Sequence, residues 1–539
     1  MMLTEQVESL LGWDNPEQPF NIAEVCCDRW AADTPDQPAI IQKNPDGSVV
    51  EYSFGYLQEQ ANRLANSFRA QGVGVGDRVG IMLPQGIESA TTHMAIYKLG
   101  AIAVPLFKLF GFDAIEHRVS NSGMCTLVTD LEGFEKISPL WGNHQALTSC
   151  YVVGLSEGKA GALSYQQEVA AQSREFSNHP TRMEDPALII YTSGTTGHPK
   201  GALHAQRVLL GHLPGVQVSH DLFPQANDRM WTPADWAWIG GLLDVLLPSL
   251  YFGVPVVAYR AEKFSAEDIF QLLQDLQIRN VFFPPTALKL LRNVQRPEQW
   301  QLQLRSVASG GESLGAELLE WGEQVLGVRM NEFYGQTECN MVLSSCASQG
   351  LQKPEAIGTA VPGFEVAVVD DQGQPVPVGE VGNIAVASPN PSEMLGYWEN
   401  PTATAEKYTG RWLMTGDKGR LDTDGYVYFV GRDDDVITSA GYRIGPAPIE
   451  DCLLKHPAVK LAAVIGKKDP VRTEIVKAYI VLQDGYLESA ELIRELQQHV
   501  RVGLAAHEYP REIQFIEEMP LTTTGKIIRG ALRALESDA

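Results

Sequence analysis

The stretch ALIIYTSGTTGHPKG, residues 187–201, decides how the rest of the chain is read. Four apolar residues form a short strand that runs straight into a loop of small and hydroxyl-bearing residues. Gly194, Gly197 and Gly201 permit tight backbone paths and a close ligand approach. Thr192, Ser193, Thr195 and Thr196 supply hydroxyl donors. Backbone amides in such a loop surround phosphate oxygens, and Lys200 adds positive charge. The spacing is not GxxxxGK[ST], so the roles known for that nucleotide loop do not transfer. On composition alone, a Ser/Thr/Gly surface turn is an equal reading.

Outward from this loop the chain alternates helix and strand. YLQEQANRLANSFRAQG has helical spacing and closes near Gly72. DRVGIMLP is a strand stopped at Pro84, SATTHMAIYKLG a second helix and AIAVPL a second strand. CTLVTD, QALTSCYVVG, VPVVAY, RNVFFPP and LRSVASGG continue the rhythm. This predicts a large layered α/β body. After about residue 360, FEVAVVDDQGQPVPVGEVGNIAVAS and DTDGYVYFVGR read as hairpins that close it with a β subdomain. A small α+β unit follows, from IEDCLLKHPAV to REIQFIEEM. The polar GRDDD segment sets the expected boundary, giving a large domain over 1–433 and a small mobile C-terminal domain over 434–539.

Composition narrows the function classes. A chain of 539 residues implies two or more domains, and 44% apolar with 20% charged residues is globular rather than disordered. A net charge of −24 works against general nucleic-acid binding but leaves local fields free to oppose it. Seven scattered cysteines without a CxxC pair suit free thiols in a reducing compartment, hence a cytoplasmic expectation. The eleven histidines show no transition-metal spacing. The N-terminus lacks the basic and apolar regions of a signal peptide. IGGLLDVLLPSLYFGVPVVAY, residues 239–259, has the length of a membrane span. Asp244, Pro248, Gly253 and Pro255 break it, so helix–turn–strand is expected and no transmembrane segment.

The whole string from Tyr191 to Gly201 resembles the phosphate loop of the adenylate-forming superfamily, which holds acyl-CoA synthetases, peptide-synthetase adenylation domains and luciferases. Further matches follow in family order: NEFYGQTE (331–338), TGD (415–417), YFVGRDD (428–434), SAGYRIG (439–445) and PLTTTGK (520–526). The resemblance runs from about residue 25 to the C-terminus. It is closest to the medium-chain acyl-CoA synthetase branch, through FGFDAIEHRVSNSG, GRDDDVITSAGYRIGP and DPVRTEIVKAYIVL.

The resemblance implies an ATP-dependent ligation of a carboxylic acid to coenzyme A through an acyl-adenylate. Such chemistry takes magnesium on the phosphates, hydrogen bonds to ribose and positive charge at the attacked α-phosphate. It implies Glu338 beside Mg2+, Thr337 on phosphate or the acyl carboxylate, and Lys526 bridging carboxylate and α-phosphate. ATP is expected on the 192–200 loop, on Gly310, Gly311 and Glu312, on Glu332, Phe333, Tyr334, Gly335 and Gln336, and on Asp417 assisted by Arg432. Ala440, Gly441 and Tyr442 match the loop that faces the pantetheine arm, Arg472 is the candidate for a CoA phosphate, and Asp434 matches the hinge. Each has a plainer alternative, a turn acid or a solvated cation, when taken without its flanking motif.

For the acyl pocket the resemblance implies Trp238 and Gly335, and Cys339 is a candidate there, as a pocket or a core thiol. In the acetyl-CoA synthetases a tryptophan floors this pocket at the position matching Gly335. The glycine implies room for a longer acid, medium-chain or short-branched, with aromatic acids as the alternative. Ala237 replaces the family's usual glycine, and Cys339-Asn340 stands where the medium-chain branch has Thr-Gly. Two other readings stay open: transfer of the acid to a carrier protein, which no attachment segment favours, and a non-catalytic binding protein, which the intact motifs oppose.

Overall fold

The computed structural model describes residues 15–140, 146–158, 161–192, 199–259, 264–311, 314–432, 435–439, 442–469, 472–504, 508–522 and 526–537. Among these residues the strands form four sheets.

The first sheet has eight strands. Its centre is parallel: Pro186–Tyr191, Ile102–Pro105, Arg78–Met82, Thr126–Asp130, Ser149–Val153 and Ala162–Ser164 lie side by side in that order. Strand Gly201–Ala205 returns antiparallel to Pro186–Tyr191, so the phosphate loop is the link between two neighbouring strands. Strands such as Pro186–Tyr191 are buried along nearly their whole length, as a covered parallel sheet requires.

The second sheet has nine strands and centres on the parallel set Val256–Ala258, Met230–Trp231, Asn280–Phe282, Ser306–Gly310 and Asn331–Gln336. Helix Ile87–Lys98 is buried on every side except at Glu88, because it lies between sheets rather than on one. Helix Phe54–Ala70 is amphipathic: Leu57, Ala61, Leu64 and Phe68 recur on its buried face, and Ser53 caps it by accepting from Tyr56 N. One apolar core joins Ile81 and Leu188 of the first sheet to Ile40, Val256 and Phe282 of the second. The apolar 239–259 stretch is a broken helix to Tyr251, a turn at Gly253 and the strand Val256–Ala258. No helix among the described residues is long and apolar enough to cross a membrane.

The third sheet is antiparallel and carries the hairpin Val366–Val369 to Val381–Ala387, then Trp412–Leu421 against Val427–Arg432. It closes the large α/β body. The fourth belongs to the small α+β unit, where Val459–Asp469 and Thr473–Leu482 pair along their lengths and Glu512–Phe515 joins in parallel. Helices Pro446–Leu454 and Ala490–Gly503 share its core. All seven cysteines are unpaired.

Candidate active site

The phosphate loop is held before it begins. Helix Phe112–Ser122 packs under it: Tyr191 Oη donates to Asn121 Oδ1 at 2.7 Å, and the His117 ring lies 3.1 Å from Pro199 O. The Arg118 guanidinium is wedged 4.0 Å from the Phe110 ring centroid and 5.4 Å from that of Tyr191. Thr192 N donates to Lys200 O at 2.9 Å and pinches the loop shut at its base. The tip, which carries Ser193, Gly194, Thr195, Thr196 and Gly197, lies outside the described residues. Lys200 Nζ stands 5.1 Å from the Tyr397 ring centroid.

Tyr397 ties this loop to the second sheet. Its hydroxyl donates to Glu338 Oε1, 59 residues away in sequence. Glu338 is buried, and its main chain is held by Met394 N, which donates to Glu338 O at 2.8 Å. Segment 388–394 is fastened in turn by Arg207, whose Nη1 donates to the carbonyls of Asn390, Pro391 and Glu393. Thr337 sits half-buried in the turn between strands Asn331–Gln336 and Cys339–Ser344.

On the third sheet, Asp417 and Arg432 are register partners across two strands. Tyr334 Oη donates to Asp417 Oδ2 at 2.5 Å. Burial pushes the Asp417 carboxyl above the ordinary range, against Tyr334 and the positive charges of Arg432, Lys407 and Lys526. Lys526 therefore reaches the large domain from the far end of the chain. A carbon added at Gly311, where φ is +102°, would lie 3.5 Å from Lys526 Cε and 3.7 Å from the Trp238 ring. Lys526 Nζ is 5.9 Å from the Trp238 ring centroid. Its main chain closes a turn with Thr522, whose N donates to Lys526 O at 2.7 Å.

Gly310 ends strand Ser306–Gly310 against the Phe333 ring, where an added carbon would approach to 2.6 Å. Phe333, Phe282 and Trp238 form a chain of rings with centroid separations of 5.2 and 5.7 Å. Glu312 lies outside the described residues. Glu332 is half-buried and accepts from Leu314 N at 3.0 Å. Burial pushes its carboxyl up to about 7; the Leu314 amide opposes this and the charge of Asp451 adds to it. The folded state thus holds this proton more tightly than the ordinary value of 4.5, so stability falls as pH rises from about 4.5 to about 7. Glu332→Gln is expected to melt above wild type at pH 8, with the gap shrinking towards pH 5. Identical melting–pH slopes for the two proteins would refute this.

Lys407 is a member of the site that carries no motif in the sequence. Its Nζ donates to Gln336 Oε1 at 2.6 Å, Met414 O at 3.1 Å and Thr415 O at 3.3 Å, and lies 4.0 Å from Glu338 Oε1. Burial lowers its pKa, opposed by Glu338 and Asp417 and reinforced by Arg432 and Lys200. Gln336 Nε2 also donates to Thr415 O at 3.0 Å, so the second and third sheets are stitched here. Lys407→Met removes the Lys407 hydrogen bonds to Gln336 Oε1 and Met414 O, while Thr415 O keeps its bond from Gln336 Nε2, at a cost of about 1–3 kcal/mol. Expected are a lower urea midpoint and an ATP KM raised about tenfold, the equivalent of about 1.4 kcal/mol; an unchanged KM would show that the cation acts only on the fold.

Cys339 and Gly335, both candidates for the acyl pocket, sit in closely packed surroundings. Cys339 is fully enclosed among Val342, Leu343, Ile384 and Leu413, apart from the core that Trp238 joins. Its thiol faces Asn390 Oδ1 at 3.4 Å and Ser392 Oγ at 3.5 Å, and burial raises its pKa to about 12. Gly335 does not face open volume: an added carbon would lie 2.5 Å from Met341 N and 2.6 Å from Asn340 Cα.

Ala440 and Gly441, expected on the CoA side, and Asp434, expected at the hinge, fall outside the described residues. Tyr442 opens strand Tyr442–Ile444, paired with Ser439, and Ser439 also pairs with Thr473. Arg472 N donates to Asp469 Oδ1 at 2.8 Å, next to Thr473.

Lys200, Lys407, Arg432 and Lys526 converge on two carboxylates, a local reversal of the chain's net charge of −24. Such a concentration marks an α/β enzyme built to take a polyphosphate substrate at the C-terminal ends of its parallel strands. Residues 27–398 match the AMP-binding enzyme family and residues 448–526 its C-terminal domain, and the chain belongs to that family. It is 36% identical over 498 residues to acetyl-coenzyme A synthetase of Bacillus subtilis (strain 168), covering 90% of this chain and 85% of that one. It is 33% identical over 543 residues to the mitochondrial acyl-coenzyme A synthetase ACSM2B of Homo sapiens, covering 98% and 93%. A solved structure of the anthranilate CoA ligase AuaEII in complex with anthranoyl-AMP superposes with a TM-score of 0.88 at 29% identity, covering 96% of this chain and 98% of that one. The chain is an acid–thiol ligase that forms an acyl-adenylate with ATP and passes the acyl group to CoA.

Proposed function

We propose that this ligase activates an aliphatic acid larger than acetate, medium-chain or short-branched. The observation that carries the reading is the ring chain Trp238–Phe282–Phe333 beside Lys526, an apolar wall next to where the carboxylate would attack the α-phosphate. Each methylene buried against it contributes roughly 0.8 kcal/mol. Aromatic acids, as named for the anthranilate CoA ligase, are the second reading, supported by the same rings.

Glu338 suits magnesium. Tyr397 and Lys407 both approach its Oε1, which leaves Oε2 without a protein partner among the described residues. No described cluster of three or more His, Cys, Asp or Glu competes for a cation. One carboxylate plus substrate phosphate oxygens is the usual donor set for Mg2+, which would neutralise phosphate charge. Asp417 and Arg432 would hold the ribose, and the 192–200 loop the phosphates.

The division at 433/434 belongs to the same reading. Asp435 N and Val436 N both donate to Arg432 O, at 3.0 and 2.9 Å, in a tight turn. Asp435 is pinned from the C-terminal side by Arg533 and Arg529. A pivot at Asp434 would move these arginines and Lys526 together.

The test is a panel of acids from acetate to octanoate with benzoate. Pyrophosphate release and product mass are measured with and without CoA. Release with a CoA thioester, with kcat/KM rising beyond acetate, is expected. A maximum at acetate would overturn the acid class, and release that never yields a thioester would point to a carrier-protein acceptor.

A further inference from the structure

A cleft of about 670 Å³ lies at the other edge of the second sheet, away from the ATP chemistry. Gln37, Arg229, Pro255 and Arg279 line it, and each immediately precedes a strand: Pro38–Lys43, Met230–Trp231, Val256–Ala258 and Asn280–Phe282. These four strands are parallel neighbours, so the cleft runs along their N-terminal ends. Gly310 and Gln336 end the adjoining parallel strands on the opposite, nucleotide side.

Arginines stand in register along this edge. Met230 pairs with Asn280 and Asn280 with Ser306, so Arg229, Arg279 and Arg305, one residue earlier in each case, lie side by side. Neighbouring strands are about 4.8 Å apart, and like charges placed next to each other on a sheet are destabilising. Among the described residues one carboxylate lines the cleft, that of Asp228, whose side chain is fully enclosed. Arg305 takes it: Nε donates to Oδ1 at 2.9 Å and Nη2 to Oδ2 at 2.6 Å. Arg279 Nε stands 3.6 Å from the same Oδ1, enclosed and without a hydrogen-bond partner, although the side chain as a whole is 31% exposed. Arg229 Nη1 donates to Leu276 O at 2.7 Å, and the guanidinium pairs with no carboxylate among the described residues. Three cations against one carboxylate leave two positive charges in excess, in a chain whose net charge is −24. A dianion seated between Arg229 and Arg279 removes the repulsion and gains charge-assisted N–H···O bonds.

Much of the remaining lining is amide: Gln225, Asn227, Gln277 and Gln303. Asn227 and Gln277 hold left-handed φ values of +63° and +49°, as do Asp221 and Leu222 at the start of the same loop, at +50° and +64°. Backbone of this kind persists where its surroundings over-determine it, and it clusters at ligand clamps. Side-chain amides both donate and accept, as hydroxyl groups do.

We propose that this cleft is a second ligand site, separate from the catalytic one, for a small hydroxylated phosphate monoester. The dianionic phosphate sits on Arg229 and Arg279, and the hydroxyl groups meet the amides. The volume falls within the roughly 300–1,000 Å³ of small-molecule sites.

Calorimetric titration of the full chain tests it, with ribose 5-phosphate as the probe and inorganic phosphate, succinate and ribose as comparisons. Wild type should bind ribose 5-phosphate about tenfold or more tighter than any comparison. Arg229→Gln and Arg279→Gln should each weaken it about tenfold or more, the loss of one charge-assisted contact. The Kd for ATP should stay unchanged when ribose 5-phosphate is saturating. The proposal is overturned if ribose 5-phosphate does not bind, if any comparison binds as tightly, or if both arginine variants bind it as wild type does. A Kd for ATP that rises in proportion to ribose 5-phosphate would place the probe in the catalytic crevice and overturn it too. Arg279→Gln removes no side-chain hydrogen bond among the described residues, so its fold is not at stake. If Arg229→Gln does not fold, Arg279→Gln and the wild-type ranking of the four probes decide.

Discussion

Lys526→Ala is expected to lose acyl-adenylate formation by about 10²–10³-fold while thioester formation from supplied acyl-adenylate stays largely intact. In this structure the lysine lies at Gly311 and Trp238, within the field of Asp417, although it belongs to the C-terminal unit. Its charge is placed where negative charge accumulates as carboxylate attacks the α-phosphate, so it acts on the transition state more than on bound ATP. Arg472 lies beside the edge of the small sheet formed by Ser439, Tyr442 and Thr473, and Lys526 on a separate turn after strand Glu512–Phe515. One rigid unit presenting both elements to one crevice has to turn between them, which the tight turn after Arg432 would permit. Gly441→Leu should show the opposite pattern by blocking the thiol path. Single-turnover formation of acyl-adenylate, and its separate consumption by CoA, measure both. Equal losses in the two steps for Lys526→Ala would refute alternation and indicate damage to a shared site.

Gly335→Trp is expected to cost about 10²-fold or more in kcat/KM for every acid, with a lowered melting temperature, rather than to redirect the enzyme to acetate. The resemblance to acetyl-CoA synthetases implies the redirection; the packing opposes it. Any side chain at 335 starts 2.5 Å from Met341 N and from Asn340 Oδ1. The turn cannot easily yield, because Met341 already holds a left-handed φ of +53° and lies so close to helix Val208–Ser219 that a carbon added at Gly215 would stand 2.5 Å from Met341 Cβ. Overpacking alone costs about 1–3 kcal/mol. Pushing residues 340–341 away also moves Thr337 and Glu338 in the same turn, and a displacement of about 1 Å at a reacting centre costs on the order of 10²-fold. Kinetics across the acid panel with parallel melting curves decide it. A stable variant with a new maximum at acetate would restore the pocket-floor reading.

The parts of the site legible in the sequence are those where local backbone demands leave a local pattern. Gly201 follows the loop as the first residue of a strand, and Gly310 ends one against a phenylalanine ring. Strands such as Pro186–Tyr191 are buried nearly throughout and so appear as unbroken apolar runs. Lys407 and Tyr397 escaped because their meaning lies 71 and 59 residues away, at Gln336 and Glu338. The signal available for Tyr397 was only an aromatic beside a glycine, and for Lys407 a lysine in a polar turn.

The sequence by itself determined the layered α/β body, the closing hairpins, the small α+β unit and the adenylate-forming chemistry. Periodicity and glycine placement are short-range, and motif residues keep their order along the chain. Tertiary structure alone decided what faces what. It put Cys339 in an apolar core instead of a pocket, filled the space before Gly335 with the backbone of Asn340 and Met341, and brought Asp244 to Asn340 across 96 residues. Those outcomes depend on which strand face meets which helix. Side-chain direction along a strand reverses at every residue, so the pairing register and the covering helix settle it.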